Sequence, residues 1–304
     1  MSPAPHLSDI RRLAGERNAV ILAHTYQPGP IQDCADFVGD SYGLSVRACD
    51  VEARRIIFCG VQFMAETAAI LNPSRPVVMP APDAGCPMAD MIDKESLLEL
   101  KSEHPDHLVV CYVNSPAEVK ALSDVCVTSS NAVTIVSKLP ADRGIIFVPD
   151  KYLGSYVSSQ CGREMVLWPG FCPTHARITP EMVTESRRAH PGAVVMMHPE
   201  APPESRERAD AILSTGRMCT FARDNPAREF IAATETGLVH TLRKQNPDKR
   251  FYPLSDRIVC PNMKKCSLQQ VADALEGKSG RSIEVPGEVA GKALGALRKM
   301  LDMS

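Results

Sequence analysis

The stretch VILAHTY at residues 20–26 decides the fold, because it occurs three times in equivalent form. LVVCYVN follows at residues 108–114 and VVMMHPE at residues 194–200, so the copies begin 88 and 86 residues apart. Each copy is a short apolar run that ends in polar side chains, which is typical of a buried parallel strand. The chain therefore contains an internal repeat.

Further features keep the same spacing. A second set of apolar runs predicts strands at residues 56–59, 144–148 and 230–233. A hydroxyl residue recurs at intervals of 88 and 86, at Ser41, Ser129 and Thr215. A cysteine recurs at intervals of 86 and 88, at Cys86, Cys172 and Cys260. Helices are expected to begin near Leu7, Met88 and Thr179 and to lead into the first strand of each copy.

This repeat predicts an α/β fold, because each copy alternates strands with helices. We expect three pseudo-repeated three-layer αβα domains, each with a small parallel sheet, around a central pseudo-threefold axis. The predicted domains are residues 1–87, 88–173 and 174–266. Residues 267–304 form a tail that is expected to join the first domain, through the amphipathic stretch at 286–303.

Length and composition exclude several classes of protein. A chain of 304 residues with 44% hydrophobic content can build two or three compact units. Its net charge of −2 argues against nucleic acid as a partner. No apolar run is long enough to span a membrane, and the first twenty residues lack the apolar core of a signal peptide. We therefore expect a cytoplasmic protein that binds neither nucleic acid nor membrane.

The chain has eleven cysteines, an odd number that is spread over its whole length. This pattern is unlike the disulfide framework of a small secreted protein. Most of these cysteines are expected to be buried small residues. The six that lie in or beside apolar patterns are Cys34, Cys49, Cys59, Cys111, Cys126 and Cys219.

The repeated polar residues are expected to form one site. Ligands of parallel sheets gather beyond the carboxyl ends of the strands, where all of these residues lie. Each domain would supply a hydroxyl, a cysteine and one strand-end pair: His24 with Tyr26, Tyr112 with Asn114, and His198 with Glu200. A single such hydroxyl would be interpreted as a helix cap. A fold alone, however, would preserve apolar rather than polar positions through the repeat.

Three thiolates on three loops indicate an iron–sulfur centre. A closed zinc site would need a fourth ligand, which no local CxxC pair provides. A 4Fe–4S cluster with three thiolate ligands leaves one iron open to act as a Lewis acid. Cys266, six residues after Cys260, is an extra thiol and an alternative third ligand. The fingerprints of nucleotide-binding loops and of the serine hydrolase elbow are absent from the sequence.

The chain resembles the quinolinate synthase family over essentially its whole length. The motifs that carry the resemblance are AHTYQ at 23–27, IQD at 31–33, ADFVGDS at 35–41, FMAETA at 63–68, YVN at 112–114, TSSNA at 128–132, CPTH at 172–175, HPE at 198–200, STG at 214–216 and CPNMK at 260–264. Thr25 departs from the family, in which asparagine or an aromatic residue is common there.

The resemblance implies three stacked α/β domains with a 4Fe–4S cluster held by Cys86, Cys172 and Cys260. It also implies the condensation of iminoaspartate with dihydroxyacetone phosphate to give quinolinate for NAD biosynthesis, with phosphate and water released. An enzyme that oxidises L-aspartate, and so supplies iminoaspartate, is the expected protein partner.

Candidate roles follow from residue chemistry once these substrates are assumed. Glu200 is the expected general base, because it is the only carboxylate among the strand-end pairs. His24, Tyr26 and His198 would move protons, and Tyr112 would stack on the forming ring. The substrate anions would be bound at helix N-termini and by polar side chains, namely Ser41, Asn114, Ser129, Thr215 and Asp40.

Two other functions remain open at this stage. An iron–sulfur hydro-lyase acting on another small hydroxy acid would use the same cluster, and only its product would distinguish it. A non-enzymatic iron–sulfur redox sensor would need the cysteines but would have no use for His198 and Glu200.

Overall fold

The computed structural model describes residues 5–304 and has an α/β fold built on three small, mainly parallel sheets flanked by helices. The strands are β1 (Ala19–His24), β2 (Phe37–Gly39), β3 (Arg55–Cys59), β4 (Val77–Met79), β5 (Leu108–Tyr112), β6 (Val125–Val127), β7 (Ile145–Val148), β8 (Val166–Leu167), β9 (Val194–Met197), β10 (Ala211–Ile212), β11 (Glu229–Ala233), β12 (Arg250–Pro253) and β13 (Arg281–Ser282). The fold class predicted from the repeat is confirmed.

The three sheets share one topology. Their strand orders are β2-β1-β3-β4, β6-β5-β7-β8 and β10-β9-β11-β12, and the first sheet adds β13 antiparallel to β4. Equivalent residues pair in each sheet: Leu22 with Phe37, Val110 with Val125, and Met196 with Ala211. These pairs keep the 88- and 86-residue spacing, so the repeat is structural as well as sequential.

One aspartate in each sheet forms the same pair of hydrogen bonds with the first strand of its copy. These three aspartates were not among the features predicted from the sequence. The carboxylates of Asp36, Asp124 and Asp210 accept hydrogen bonds of 2.7, 2.8 and 2.8 Å from the N–H groups of Ile21, Val109 and Val195 respectively. Each aspartate N–H also donates back to the carbonyl of the same partner residue. These bonds fall at the third residue of β1 and at the second residues of β5 and β9, and each aspartate directly precedes the neighbouring edge strand. They therefore fix where that edge strand begins.

The helices fill the connections between strands. They are α1 (Leu7–Glu16), α2 (Gly29–Cys34), α3 (Ser41–Cys49), α4 (Gln62–Leu71), α5 (Lys94–Glu103), α6 (Ala117–Ala121), α7 (Ala132–Lys138), α8 (Lys151–Cys161), α9 (Pro180–Ala189), α10 (Pro203–Arg206), α11 (Thr215–Asp224), α12 (Leu238–Gln245), α13 (Leu268–Glu276) and α14 (Gly287–Met303). Short 3₁₀ turns lie at Ala89–Met91, His175–Arg177 and Pro261–Lys264. None of the helices within residues 5–304 is both long and apolar enough to cross a bilayer.

The predicted helix starts are right at two of three places. Helices begin at Leu7 and, after the Thr179 cap, at Pro180. The helix expected near Met88 begins instead at Lys94. The reason is local: the Asp93 side chain accepts a 2.8 Å hydrogen bond from the Ser96 N–H and so caps the helix there.

The chain divides into two compact units. The first unit contains the first sheet and consists of the chain up to Cys86 together with Cys260–Gly291. The second unit contains the other two sheets, in Pro87–Val259, together with Lys292–Ser304. The three-domain division and the pseudo-threefold axis stay predictions.

The last turn of the tail helix α14 lies against α7. The expectation that residues 267–304 join the first domain stays a prediction. Asn131 Nδ2 donates a 2.8 Å hydrogen bond to Ser304 Oγ, and Lys138 Nζ donates to the carbonyl of Met303. The amphipathic pattern that predicted the helix could not specify which apolar surface it would cover.

Most of the cysteines that were expected to be structural are buried in the sheets and helices. Cys34, Cys59, Cys111 and Cys126 are at most 1% exposed, whereas Cys219 is half-buried and Cys49 is exposed on α3. Burial raises the pKa of Cys34 to about 12.

Candidate active site

Five buried side chains of the second unit form a hydrogen-bonded group around Glu200, which we call the carboxylate cluster. Its members are Tyr112, His175, His198, Glu200 and Thr234. Tyr112 is the last residue of β5, His198 and Glu200 follow β9, and Thr234 follows β11. Because the strands within each sheet are parallel, their carboxyl ends lie at the same edge of that sheet, as the sequence predicts.

Both carboxylate oxygens of Glu200 have a hydrogen-bond partner. The Tyr112 hydroxyl donates to Oε1 over 2.6 Å, and His175 Nδ1 lies 2.6 Å from Oε2. The other ring nitrogen of His175, Nε2, is 2.8 Å from Thr234 Oγ1. Glu200 and His175 are 3% and 2% exposed, so these contacts are almost free of solvent screening.

His198 completes the cluster by stacking. Its ring lies 4.5 Å from that of His175, centroid to centroid, at an interplanar angle of 15°. His198 Nδ1 accepts a 3.3 Å hydrogen bond from the backbone N–H of Glu200, so that nitrogen carries no proton. Burial lowers the pKa of His198 to about 3, which outweighs the opposing effect of the Glu200 charge. His198 is therefore neutral at physiological pH.

Glu200 is ionised in this setting. Burial by itself raises the pKa of its carboxyl, but the neighbouring histidines and the hydrogen bonds from His175 and Tyr112 outweigh it and lower the pKa to about 2. Since His198 is neutral, we attribute the net effect mainly to the two hydrogen bonds. A carboxylate that is ionised throughout the physiological range can accept a proton, although such stabilisation also weakens it as a base.

Asp150 is a second buried carboxyl near Glu200. Its Oδ1 caps α8 by accepting from the N–H groups of Tyr152 and Leu153, at 2.7 and 3.0 Å. Its Oδ2 is buried and has no hydrogen-bond partner among the described residues. Burial and then the charge of Glu200 raise the pKa of Asp150 well above its ordinary value.

The first unit holds the strand-end pair His24 and Tyr26 in a similar turn. The Tyr26 N–H donates to His24 Nδ1 over 3.1 Å, as the Glu200 N–H does to His198, and the two rings meet edge to face. Gln32 Nε2 donates to the carbonyls of Thr25 and Gln27 at 2.9 and 2.8 Å and so braces the turn. Lys264 Nζ donates to the Tyr26 carbonyl, which ties this turn to the loop that follows Cys260.

The repeated hydroxyls lie near helix starts, as predicted, but at α3 and α11 the residue just before the hydroxyl acts as the cap, and α7 has no side-chain cap. Asp40, the N-cap of α3, accepts a 2.9 Å hydrogen bond from the Gly43 N–H. Ser214, the N-cap of α11, accepts a 3.3 Å bond from the Arg217 N–H. Ser41 and Thr215 are the first helical residues, and Ser129 lies in the turn before α7. Capping therefore does not account for the three repeated hydroxyls.

Asn114 lies in the loop between β5 and α6. Its Oδ1 is buried and has no hydrogen-bond partner among the described residues. A buried amide oxygen of this kind is costly unless something else binds it, so it marks a polar group available to a ligand.

The chemistry of the three repeated cysteines fits an iron–sulfur cluster. Cys86, Cys172 and Cys260 are half-buried loop residues, and none of them is in a disulfide. Partly exposed thiols of this kind can be deprotonated and can bind soft metals. Cys86 and Cys260 belong to the first unit and Cys172 to the second.

Cys266, the alternative third ligand, lies in a different environment. It is 5% exposed and hydrogen-bonds with the buried thiol of Cys59, and this contact and burial raise the pKa of Cys59. A thiol as deeply buried as that of Cys266 is a poorer ligand candidate than the half-buried Cys260.

Cys172 also lies beside the carboxylate cluster. The donor atoms of Cys172, His175 and Glu200 are all within 4.8 Å of one another, close enough to bind one metal ion. Both ring nitrogens of His175 are, however, already within hydrogen-bond distance of Glu200 and Thr234.

Sequence analysis missed three residues of this site as candidates. His175 lies in a quoted motif but was given no role, and Thr234 and Asp150 were not considered. None of them has a chemically similar residue 86 or 88 positions away, so the repeat gave no sign of them. His175 corresponds to Ala89 and Met263 at those intervals.

Comparison with known proteins identifies the family. A family model described as "Quinolinate synthetase A protein" matches residues 8–302. A quinolinate synthase of Dehalococcoides mccartyi (strain CBDB1) is 51% identical over 292 residues, which cover 96% of each chain. Relatives of the same name from Caldicellulosiruptor bescii and Methanoregula boonei are 49% and 48% identical, over 97% and 96% of each chain.

Proposed function

The chain belongs to the quinolinate synthase family, enzymes of NAD biosynthesis, and we propose that it condenses iminoaspartate with dihydroxyacetone phosphate. The products are quinolinate, phosphate and water. The observation that carries this proposal is the carboxylate cluster, in which an ionised and water-shielded Glu200 lies beside residues able to move protons.

Cys86, Cys172 and Cys260 would hold a 4Fe–4S cluster. When bound, this group supplies an open iron that acts as a Lewis acid toward a departing hydroxyl. The support for these ligands is their shared spacing, their half-buried positions on loops and the absence of a disulfide at any of the three.

Glu200 takes a proton from carbon next to a carbonyl, a step that both the condensation and the isomerisation of the triose require. The Tyr112 hydroxyl, 2.6 Å from Oε1, can pass that proton onward to a substrate oxygen. A substrate that draws the Tyr112 hydroxyl away would raise the Glu200 pKa and strengthen the base at the moment of use. His24, Tyr26 and His198 move protons on the remaining oxygens, and Tyr112 lies beside the forming ring.

The substrate anions are bound by hydroxyl and amide groups rather than by cations. Ser41, Ser129 and Thr215 lie near helix starts, where backbone N–H groups and the helix dipole favour negative charge. The buried Oδ1 of Asn114 offers an acceptor to a substrate hydroxyl or imine N–H. Asp40 acts mainly through its cap of α3, which keeps Ser41 in place.

We place the enzyme in the cytoplasm. Its reaction would follow that of an enzyme that oxidises L-aspartate to iminoaspartate. None of the eleven cysteines, all of which lie within the described residues, is in a disulfide, which suits a reducing compartment.

Anaerobic reconstitution and a product assay test the proposal. The reconstituted protein should contain about four irons and four sulfides per chain and should form quinolinate only when both substrates are present. Release of a different acid would favour a hydro-lyase, and stoichiometric zinc without sulfide would remove the cluster from the proposal.

A further inference from the structure

A buried hydrogen-bond donor recurs at one position of the repeat that the proposed chemistry does not use. Gln32, Lys120 and Arg206 are 88 and 86 residues apart, and each lies eight residues after the first member of the strand-end pair of its copy. They are 3%, 0% and 8% exposed and lie on the short helices α2, α6 and α10. We call these three residues the brace residues.

The first two brace residues donate to main-chain carbonyls of the turn that carries the strand-end pair. Gln32 Nε2 donates to the carbonyls of Thr25 and Gln27, at 2.9 and 2.8 Å. Lys120 Nζ donates over 2.8 Å to the carbonyl of Ser115, which is the residue equivalent to Gln27 in the second copy. The same contact therefore occurs in both copies, although one donor is an amide and the other an ammonium group.

Arg206 makes the corresponding contact in the third copy. Its guanidinium group donates over 3.3 Å to the carbonyl of Pro199, the residue equivalent to Thr25. It also donates to the carbonyl of Tyr152 and to Ser155 Oγ, at 3.0 and 2.8 Å, and so fastens this turn to α8.

The fold alone does not require donors at this position. A buried ammonium group is costly, and an apolar side chain of similar volume is often no less stable in its place. Ile31 and Val119, which directly precede two of the brace residues, are apolar and at most 1% exposed. An amide, an ammonium and a guanidinium group differ in charge and shape, and what they share is the ability to donate to a carbonyl.

We propose that Gln32, Lys120 and Arg206 are positioning residues, each of which holds the strand-end pair of its own copy in the orientation that the reaction needs. This inference rests on the proposed function, in which those pairs act on the substrates. Displacement of a reacting group by about 1 Å can lower turnover roughly 10²-fold, so a turn that is held less firmly has kinetic consequences.

In the first copy the brace residue also fixes the state of a histidine. The peptide group between Thr25 and Tyr26 is held at both ends, since its carbonyl accepts from Gln32 and its N–H donates to His24 Nδ1. Because Nδ1 accepts, a neutral ring carries its proton on Nε2. The equivalent peptide of the third copy is held at both ends in the same way.

In the second copy the strand ends in a tyrosine, and the connection runs through a serine. The Ser115 hydroxyl donates over 2.9 Å to the carbonyl of Tyr112, and the Ser115 carbonyl accepts from Lys120. Lys120 therefore holds the residue that in turn holds the end of β5.

The competing interpretation is that Lys120 serves the buried thiol of Cys111. Burial raises the pKa of Cys111, but hydrogen bonds from neighbouring side chains and the charge of Lys120 outweigh it and lower the pKa to about 7. The residues equivalent to Cys111 are Ala23 and Met197, so a thiol is not part of the repeat, whereas the donor is.

Variants of Lys120 separate positioning from stability. Lys120→Met keeps a long side chain without a donor, and Lys120→Arg keeps a cationic donor. We expect kcat to fall roughly 10²-fold in Lys120→Met and to be largely restored in Lys120→Arg. The melting temperature of Lys120→Met should not fall, because an apolar side chain replaces a buried charge.

Lys101→Met is the matched control. Lys101 Nζ also donates to a carbonyl, that of Leu122 at 2.6 Å, but this carbonyl lies at the other end of α6, away from the strand-end turn. Lys101→Met should therefore lower the melting temperature and leave kcat unchanged. Cys111→Ala should also leave kcat unchanged, because positioning by Lys120 does not need the thiol.

Double variants test whether Lys120 acts through its own turn. Combining Lys120→Met with Tyr112→Phe should lower kcat little further than the more damaging of the two changes, because both act at one turn. Combining Lys120→Met with Gln32→Met should instead multiply the two single effects, because these residues hold the turns of different copies.

The melting temperature, the iron and sulfide content and kcat are measured for every variant of the reconstituted enzyme. Equal kcat in Lys120→Met and the unmodified enzyme would overturn the inference, as would an equal loss of kcat in Lys101→Met or in Cys111→Ala. If Lys120→Met does not fold, Gln32→Met takes its place, and an unchanged kcat in that variant overturns the inference. Failure of the proposed function is distinct, because then the unmodified enzyme itself forms no quinolinate.

Discussion

Glu200 shows how a single residue depends on its surroundings. Its carboxylate is 3% exposed and ionised, and donors from Tyr112 and His175 offset the cost of burying that charge. Removal of either donor leaves a buried charge poorly satisfied, so the cluster is sensitive to small changes.

The first prediction concerns proton transfer by Glu200. Glu200→Gln keeps the size of the side chain but cannot take up a proton, so kcat should fall roughly 10²–10⁴-fold while the iron content stays unchanged. Steady-state kinetics and iron analysis of the same preparation provide the measurement. Turnover close to that of the unmodified enzyme would exclude Glu200 as the base.

The second prediction separates the cluster ligands from the other cysteines. Alanine at Cys86, Cys172 or Cys260 should abolish both cluster retention and activity, because two thiolates hold the cube weakly. Cys266→Ala should keep the cluster, since the Cys266 thiol is buried against Cys59. Iron and sulfide assays of each variant measure whether the cluster is retained.

Cys49→Ala is the control for that series, because Cys49 is exposed and lies on a helix surface. If Cys266→Ala loses the cluster while Cys260→Ala retains it, the third ligand has been misassigned.

Helix starts carry much of the proposed substrate binding. The capping bonds come from Asp40 and Ser214, one residue before Ser41 and Thr215. The hydroxyls of Ser41 and Thr215 are thus not needed to accept hydrogen bonds from the first N–H groups of α3 and α11, and a ligand can bind to them.

The third prediction follows from this separation. A hydrogen bond to a charged group contributes about 1.5–3 kcal/mol, so Ser41→Ala, Ser129→Ala and Thr215→Ala should each weaken quinolinate or triose-phosphate analogue binding roughly 10–150-fold. Their melting temperatures should change little.

Asp93→Ala provides the contrast, because Asp93 caps α5 and has no place in the site. It should lower the stability of the fold by about 1 kcal/mol and leave affinity unaltered. The opposite pattern, in which the hydroxyl variants lose stability but not affinity, would mean that those hydroxyls serve the fold.

At the scale of the whole molecule, buried ionisable groups link folding to pH. The folded-state pKa of His198 is lowered to about 3, below its ordinary value of 6.5. Between these two values the unfolded chain binds a proton that the folded chain does not, so stability falls as the pH drops below about 6.5. Glu200 contributes in the same direction only below its ordinary pKa of 4.5, because its folded value is about 2.

The fourth prediction is therefore a His198-dependent part of the pH profile of stability, read as the difference between the unmodified protein and His198→Asn, because the raised pKa of Asp150 contributes the opposite slope to both proteins. From about pH 6.5 to about pH 5, His198 alone should lower the free energy of unfolding by about 2 kcal/mol. His198→Asn keeps an acceptor for the Glu200 N–H and should flatten this dependence. Urea unfolding of both proteins across the range is the measurement, and identical slopes would contradict it.

The sequence by itself determined the repeat and most of what is local to each copy. The apolar runs at 20–23, 108–111 and 194–197 form β1, β5 and β9, and the polar residues after them lie at the ends of those strands. These features follow from short-range patterns of hydrophobicity and turn chemistry, which three copies at a constant spacing make unmistakable. Glu200, Tyr112 and His198 could be selected for the same reason.

Only the tertiary structure decided how these residues meet. His175 reaches Glu200 from a turn 25 residues away, Tyr112 reaches it from 88 residues away, and Thr234 lies 59 residues beyond His175. His175, Thr234 and Asp150 have no repeated counterparts, and the contact of the last turn of α14 with α7 was not among the expectations from the sequence. Hydrophobic periodicity records which face of an element is buried, but packing alone sets the neighbour of that face. Packing also excludes the water that would otherwise screen the charge of Glu200.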